Sequence, residues 1–250
     1  MVRDQREMSF LEHLEELRWR LVKSVGAVLA LSIVGYFFSD RILDLVTRPI
    51  DVVYFTGPTE AFAVRIKISL FAGLVAALPV IFYQVWRFVV PGLHAREIRV
   101  AVPVVVLATL FFLIGAGFCF FIVLPVGIKF LMGFGTEKLK PLISVNRYVS
   151  FIGWMTLAFG VVFELPIVAY FLGRLGIITS RTLSRGRRYA IVGILIVAGV
   201  VTPTPDAFSQ LMLAVPLYAL YEISIVVVRL TGRREGDRAR RSQGEASLSG

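Results

Sequence analysis

Long uncharged apolar segments constrain this chain more than any other feature. Residues Val100–Ile128 include no charged side chain, and roughly 20 apolar residues are enough for a helix to cross the ~30 Å hydrocarbon core of a bilayer. The whole chain is 57% hydrophobic and 18% charged, whereas soluble domains average about 45–50% apolar and about 25% charged. The apolar residues are gathered into long blocks, which indicates a membrane protein.

Six apolar segments are candidates for membrane spans, and the last two are shorter than the rest. Prolines in or beside five of them predict bent helices. We therefore expect an all-α membrane protein in which residues 1–231 form a curved bundle of six transmembrane helices, with short fifth and sixth helices. Residues 232–250 are charged and rich in Ser and Gly, which predicts a disordered cytoplasmic tail. The six segments are Leu21–Phe38, Ile68–Trp86, Val100–Ile128, Tyr148–Gly173, Tyr189–Thr202 and Ala207–Val228.

The placement of basic residues predicts the orientation of the chain. With the N-terminus inside, most of the 27 lysines and arginines fall in the inner segments, as the positive-inside rule requires. Six spans then put both termini in the cytoplasm and the protein in the inner membrane. Topology and anionic lipid thus explain the net charge of +10, and a nucleic-acid partner is not expected.

Enzyme signatures are missing from the sequence. The chain has one cysteine, Cys119, and two histidines, His13 and His94. No zinc-protease helix, Walker-type phosphate loop or nucleophile elbow is present. We therefore expect no catalytic residue, no metal and no cofactor.

Residues 9–20 have the pattern of an amphipathic helix before the first span. Ser9 and Glu12 form a capping-box pattern, and one stripe at helical spacing is apolar. Glu16 lies four residues before Arg20, so the plain interpretation is a pair on the helix surface. The apolar stripe consists of Phe10, Leu14, Leu17 and Leu21.

Three further acids stand where acids are uncommon. Glu97 lies among inner-side arginines, and a local pair with Arg96 or Arg99 is one interpretation. Glu164 is inside the fourth span, where a carboxylate costs ~2.5–3.5 kcal/mol on insertion scales and usually faces a cavity, a partner or a proton path; a packing hydrogen bond is the alternative. Asp206 is either an N-cap of the sixth helix or a functional residue.

Several motifs in this order resemble the TatC family, the multispanning receptor subunits of the twin-arginine protein translocase. The resemblance covers about Phe10 to Arg229. Its motifs are His-Leu-x-Glu-Leu-Arg-x-Arg at His13–Arg20, Pro-Val-Ile-x-Tyr-Gln-x-Trp-x-Phe at Pro79–Phe88, Ala-Phe-Gly-x-x-Phe-Glu-x-Pro at Ala158–Pro166 and Pro-Asp-x-Phe-Ser-Gln at Pro205–Gln210.

The resemblance implies a signal-peptide site on the cytoplasmic face. In the family, two acids receive the paired arginines of signal peptides on folded precursor proteins, and by position these are Glu16 and Glu97. Phe88 matches an aromatic residue beside that site, and Arg18, in the same motif as Glu16, is expected to bind the signal peptide as well. A carboxylate can hold a guanidinium through two parallel hydrogen bonds, which lysine cannot reproduce.

The resemblance also implies partners and an energy source. Glu164 matches a buried acid implicated in transport. The region of Asp206 and Gln210 contacts single-span TatA and TatB partners, and the receptor complex is a homo-oligomer. Transport there draws on the proton-motive force and uses no nucleotide.

Two other function classes were weighed. A proton-coupled small-molecule transporter using Glu164 predicts inverted repeats, and the sequence has no such symmetry. An intramembrane enzyme needs a nucleophile or a metal set, and neither is found. The sequence therefore favours a receptor and scaffold for protein export.

Overall fold

The computed structural model describes residues 10–50, 53–55, 57–89, 101–133, 142–201 and 207–248. Within these ranges the chain is helical, apart from connecting turns and one isolated bridge between Tyr54 and Ser144. A π-helical turn is found at Cys119–Val123. The helices are α1 (Phe10–Phe37), α2 (Ser39–Thr47), α3 (Glu60–Val89), α4 (Ala101–Phe118), α5 (Leu124–Met132), α6 (Val145–Phe163), α7 (Leu165–Arg174), α8 (Ser180–Val201) and α9 (Ala207–Leu248).

Five stretches of the described residues are long and apolar enough to cross a membrane. The predicted fifth span, Tyr189–Thr202, lies largely in the second half of α8, whose first half carries four arginines. Those charges leave too short an apolar run to qualify, so a sixth crossing and the curvature of the molecule stay predictions. The five stretches are Leu11–Phe37, Glu60–Phe88, Val102–Met132, Val145–Arg174 and Gln210–Thr231.

Prolines in or beside the spans predict bent helices, and the fourth predicted span is interrupted next to its proline, Pro166. Pro166 has no N–H to donate to the preceding turn. Accordingly α6 ends at Phe163, Glu164 is in a turn, and α7 begins at Leu165. The break leaves the Glu164 side chain at a helix junction inside the Val145–Arg174 stretch.

Two predicted boundaries differ from the structure. The amphipathic segment 9–20 is not a separate helix, because α1 continues from Phe10 to Phe37 without a break. Helix α9 continues to Leu248, although residues 232–250 were expected to be a disordered tail. Arg, Glu, Ala and Gln in that tail are good helix formers, and extending an existing helix avoids the cost of nucleation.

The chain divides into two compact units. The first unit comprises Met1–Leu110 and Lys140–Gly153. In it, α1 runs antiparallel to α3 at very close range. A Cβ atom on Gly73 would lie 2.5 Å from the Ser32 nitrogen and 2.6 Å from its Cα, and one on Gly35 would lie 3.1 Å from the Ser69 carbonyl oxygen. Glycine at these positions permits the approach of the two backbones.

A polar network holds the far end of the first unit, where α3 begins. The buried Glu60 carboxylate accepts hydrogen bonds from the Ser144 hydroxyl and, at 3.1 Å, from the Asn146 backbone N–H. Lys67 Nζ donates to Asn146 Oδ1 at 2.5 Å and to Ser150 Oγ at 2.8 Å. The start of α6 is thereby fixed against α3.

The second unit comprises Phe111–Leu139 and Trp154–Gly250. Here α4 and α6 also meet at glycines. A Cβ atom on Gly115 would lie 2.6 Å from Phe163 Cγ, and one on Gly160 would lie 2.5 Å from Phe112 Cε1. Helices α7 and α8 both pack against α9. This unit contains Glu164 and Gln210.

Candidate functional site

One carboxylate oxygen of Glu16 is paired with Arg20. The other has no hydrogen-bond partner among the described residues, and we call it the open oxygen. Arg20 lies one turn further along α1, and its Nε donates to Glu16 Oε1 at 3.0 Å while its Nη2 reaches the same oxygen. Glu16 Oε2 is buried and, among the described residues, has no hydrogen-bond partner. His13 Nδ1 lies 4.0 Å from this oxygen. Because an unsatisfied buried acceptor is costly, this oxygen favours an additional donor.

Helix α3 supplies the other side of this site. Arg20 Nη1 donates to Gln84 Oε1 at 3.4 Å. The rings of His13 and Phe88 are stacked, with centroids 4.3 Å apart and planes 13° from parallel. We call His13, Glu16, Arg20, Gln84 and Phe88 the Glu16 site. It combines an open carboxylate oxygen with a flat aromatic surface.

The structure brings together some of the predicted residues and not others. Glu16 and Phe88 both belong to the Glu16 site. Arg18 is exposed and lies two residues from Glu16, a spacing at which helical side chains face different directions, so the structure does not bring it to that carboxylate. Glu97 lies outside the described residues.

Sequence reasoning did not single out His13 or Gln84 as site residues. Both fall within the two quoted motifs, but Gln84 is 64 residues from its partner Arg20. Periodicity connects residues only within one helix, so the packing of α1 on α3 was needed to reveal the contact. The only signal in the sequence was that both motifs lie at the predicted cytoplasmic ends of their helices.

Charge at the Glu16 site is locally balanced. The side chains of Arg20 and Glu16 are 12% and 24% exposed, respectively, so their interaction is only partly screened by water. The pair leaves Oε2 as an acceptor for a second cation. A planar guanidinium suits this position, because it can donate in the carboxylate plane and stack on an aromatic face.

Glu164 is a second acid with an open oxygen. It follows the last residue of α6, and its Oε1 is buried with no hydrogen-bond partner among the described residues. The backbone of Phe112 in α4 contacts the carboxyl group. The role of Glu164 in transport stays a prediction. The described residues contain no group of three His, Cys, Asp or Glu side chains suited to a metal ion.

Gln210 has a packing contact that the sequence did not predict. Its Nε2 donates to the Leu195 carbonyl oxygen at 2.9 Å and so ties α9 to α8. Asp206, its predicted neighbour at the same turn, lies outside the described residues. Of the two residues predicted in this region, only Gln210 is therefore among the described residues.

A second polar contact joins the same two helices. Arg187 Nε and Nη2 donate to Glu222 Oε1 and Oε2 at 2.7 and 2.8 Å, and Tyr218 donates to the same carboxylate at 2.9 Å. The carboxylate of Glu222 raises the pKa of Arg187 above its ordinary value. Glu222 and Gln210 are about 18 Å apart along α9 at 1.5 Å per residue. The two polar contacts therefore tie α8 to α9 at two separate levels.

Comparisons with known proteins agree with one another. The family model described as Sec-independent protein translocase protein (TatC) matches residues 12–216. The TatC protein of Desulforapulum autotrophicum is 41% identical over 242 residues, covering 94% of this chain and 89% of that protein. The TatC protein of Aquifex aeolicus is 40% identical over 236 residues, covering 91% of this chain and 98% of that protein.

Solved structures give the same result. A crystal structure of the twin arginine translocase receptor TatC superposes with a TM-score of 0.80 at 39% identity, covering 88% of this chain and all of that one. A second crystal structure of that receptor, in DDM, has a TM-score of 0.79 and also 39% identity, covering 87% of this chain. The similarity thus extends over most of the chain in both sequence and fold.

Proposed function

This chain belongs to the TatC family of Sec-independent protein translocase proteins, and on that premise we propose that it is the receptor for twin-arginine signal peptides. It is a component of a protein translocase and a multi-pass, all-helical membrane protein. The receptor role makes it the core subunit, which binds signal peptides of folded precursor proteins and nucleates the complex with single-span TatA and TatB partners.

The open Glu16 Oε2 is the observation that carries this proposal. A cationic signal peptide is repelled by a basic surface, so binding requires local acids. Glu16 Oε2 offers an acceptor that Arg20 leaves unused. An arginine of the peptide donates to this oxygen and places its guanidinium against the His13–Phe88 stack.

The second arginine of the peptide requires a second acid. Glu97 follows α3 in the chain and has that role in the proposal. With one acid per arginine, the two sites together recognise the pair, whereas either site alone would recognise a single cation. Arg18, which faces away from Glu16, contacts the peptide outside the arginine pair.

Orientation and partners complete the proposal. Both termini lie in the cytoplasm, so the peptide reaches the start of α1 from the side on which precursors are made. The α8–α9 hairpin with Asp206 and Gln210 contacts the TatA and TatB partners, and several copies of the chain assemble in the receptor complex. The proton-motive force drives transport.

Binding of two peptides to the unmodified chain tests the receptor role. We expect a fluorescent signal peptide with Arg-Arg to bind the full chain in nanodiscs about 10-fold or more tightly than its Lys-Lys counterpart. The reason is that a planar guanidinium can donate to Glu16 Oε2 and at the same time stack on the His13–Phe88 pair, whereas an ammonium group has no flat face to stack. The measurement is fluorescence anisotropy at two salt concentrations.

Salt dependence distinguishes recognition from general charge attraction. Nonspecific attraction of peptide to lipid or protein decreases strongly as salt increases, and it treats both peptides alike. An Arg-Arg preference that persists at high salt supports the receptor. Equal affinities that decrease together with salt would refute it.

Glu164 has a separate role in the transport step. We expect Glu164→Gln to leave Arg-Arg peptide binding unchanged and to reduce transport of a signal-bearing reporter by about 10-fold or more, because the amide cannot exchange a proton at membrane depth. The measurement is uptake into inverted vesicles containing the chain and its single-span partners. Uptake at the unmodified rate would remove Glu164 from the mechanism.

A further inference from the structure

Three arginines form an exposed stripe on the first half of α8. Arg181, Arg185 and Arg188 are spaced by four and three residues, which places them on one face of the helix. All three are exposed. In the part of the chain that the structure describes, no carboxylate forms an ion pair with any of them. We call these residues the α8 arginine stripe.

The neighbouring Arg187 differs from the three arginines of the stripe because it has an ion-pair partner. It points to α9 and is paired through two hydrogen bonds with Glu222. The guanidinium of Arg188 lies 4.8 Å from the centre of the Tyr189 ring, a contact that leaves its charge uncompensated. Glu222 of α9 thus neutralises the arginine that faces the protein, whereas the three arginines of the stripe face outward.

The stripe is adjacent to the apolar half of the helix. Tyr189, 69% exposed, separates the stripe from residues 190–201, and tyrosines of this kind are typical at the headgroup level of membranes. The apolar half is about 18 Å long at 1.5 Å per residue. A segment shorter than the hydrocarbon core thins the bilayer around it, which brings phosphate groups towards the stripe.

We propose that the α8 arginine stripe binds the phosphate groups of anionic phospholipids. Guanidinium groups bind phosphate oxygens through paired hydrogen bonds. The stripe is about 10 Å long, enough for two phosphates from adjacent lipids or from one two-phosphate headgroup. An anionic headgroup is selected because a zwitterionic one has a cation of its own. This site is independent of the signal-peptide site.

Lipid titration of the full chain tests the proposal. Fluorescent phosphatidylglycerol, phosphatidylcholine and competing inorganic phosphate are titrated against the detergent-solubilised chain. At roughly 1 kcal/mol per basic residue near a charged membrane surface, the triple variant Arg181→Gln, Arg185→Gln, Arg188→Gln is expected to lose on the order of 100-fold in phosphatidylglycerol affinity. The matched control is the triple variant Arg41→Gln, Arg48→Gln, Arg147→Gln, which removes three exposed arginines of the first unit and is expected to bind like the unmodified chain.

A lysine variant separates charge from folding. Replacing the three stripe arginines by lysine keeps the charge but loses the paired hydrogen bonds, so its affinity is expected to lie between those of the unmodified chain and the glutamine triple variant, and its thermal unfolding reports on the fold. The proposal is overturned if the glutamine triple variant binds as tightly as the unmodified chain, or if phosphatidylcholine binds equally well. Displacement of the lipid by an equal concentration of inorganic phosphate also overturns it, because the site would then be one for free phosphate.

Discussion

Glu16→Gln is expected to weaken binding of an Arg-Arg signal peptide by about 10- to 100-fold, because a hydrogen bond to a charged group is worth about 1.5–3 kcal/mol. The substitution keeps the shape of the side chain and removes its charge. It also leaves Arg20, now without its counter-charge, beside the incoming guanidinium. Both effects act against the peptide. The measurement is anisotropy of the labelled peptide with the chain in nanodiscs.

Glu15→Gln is the matched control for this prediction. Glu15 precedes Glu16 directly and is exposed on a different face of α1. Its loss changes the net charge equally but does not alter the Glu16 site, so we expect peptide affinity to stay within about twofold. If the two variants weaken binding equally, the effect of Glu16 is general electrostatics and the site has been misassigned.

Gly73→Ala is expected to destabilise the first unit by about 1–3 kcal/mol, the usual cost of overpacking. The new Cβ would lie 2.5 Å from the backbone nitrogen of Ser32. Backbone atoms cannot rotate away as a side chain can, so α1 has to shift from α3. The midpoint of thermal unfolding in detergent, followed by tryptophan fluorescence, is expected to decrease. Peptide affinity is expected to decrease with it, because the Glu16 site is built across these two helices.

Gly26→Ala provides the comparison within α1. A Cβ at Gly26 meets no atom within 4 Å, and alanine is the better helix former. Its unfolding midpoint is expected to equal or exceed that of the unmodified chain. Equal midpoints for Gly26→Ala and Gly73→Ala would show that α1 and α3 are not in close contact at Ser32.

The sequence predicts well what depends on short-range pattern. Five of the six predicted apolar runs overlap stretches long and apolar enough to cross a membrane, and Pro166 lies beside the break at Glu164. Each signal depends on neighbouring residues only. An apolar run in lipid has to be helical because lipid offers no hydrogen-bond partner to its backbone. Element type and approximate position therefore follow from the chain itself.

The sequence could not predict contacts between distant helices. The stack of His13 on Phe88 and the bond from Arg20 to Gln84 join residues far apart in the chain. Both depend on the register of α1 on α3, which is set by glycines such as Gly73. The open oxygen of Glu16 follows from that register. Helical spacing alone predicted only its pair with Arg20.

Composition does not determine where a helix begins or ends. In α8, four arginines interrupt the apolar pattern, so the helix is longer than its apolar part. In α9, polar composition indicated disorder while helix propensity and an existing helix end favoured continuation to Leu248. Motif membership was also insufficient for Arg18, since a motif gives proximity in sequence and not the face of a helix.

Photocrosslinking from position 88 is the most direct test of the central claim. The full chain carries p-benzoylphenylalanine in place of Phe88, and a control chain carries it in place of Trp154, which is 67% exposed and outside the Glu16 site. The account predicts a crosslink to the Arg-Arg peptide at position 88 alone, prevented by excess unlabelled Arg-Arg peptide and much less by Lys-Lys peptide at the same concentration. Peptide that binds the chain without crosslinking at position 88, or that crosslinks equally from both positions, would contradict it.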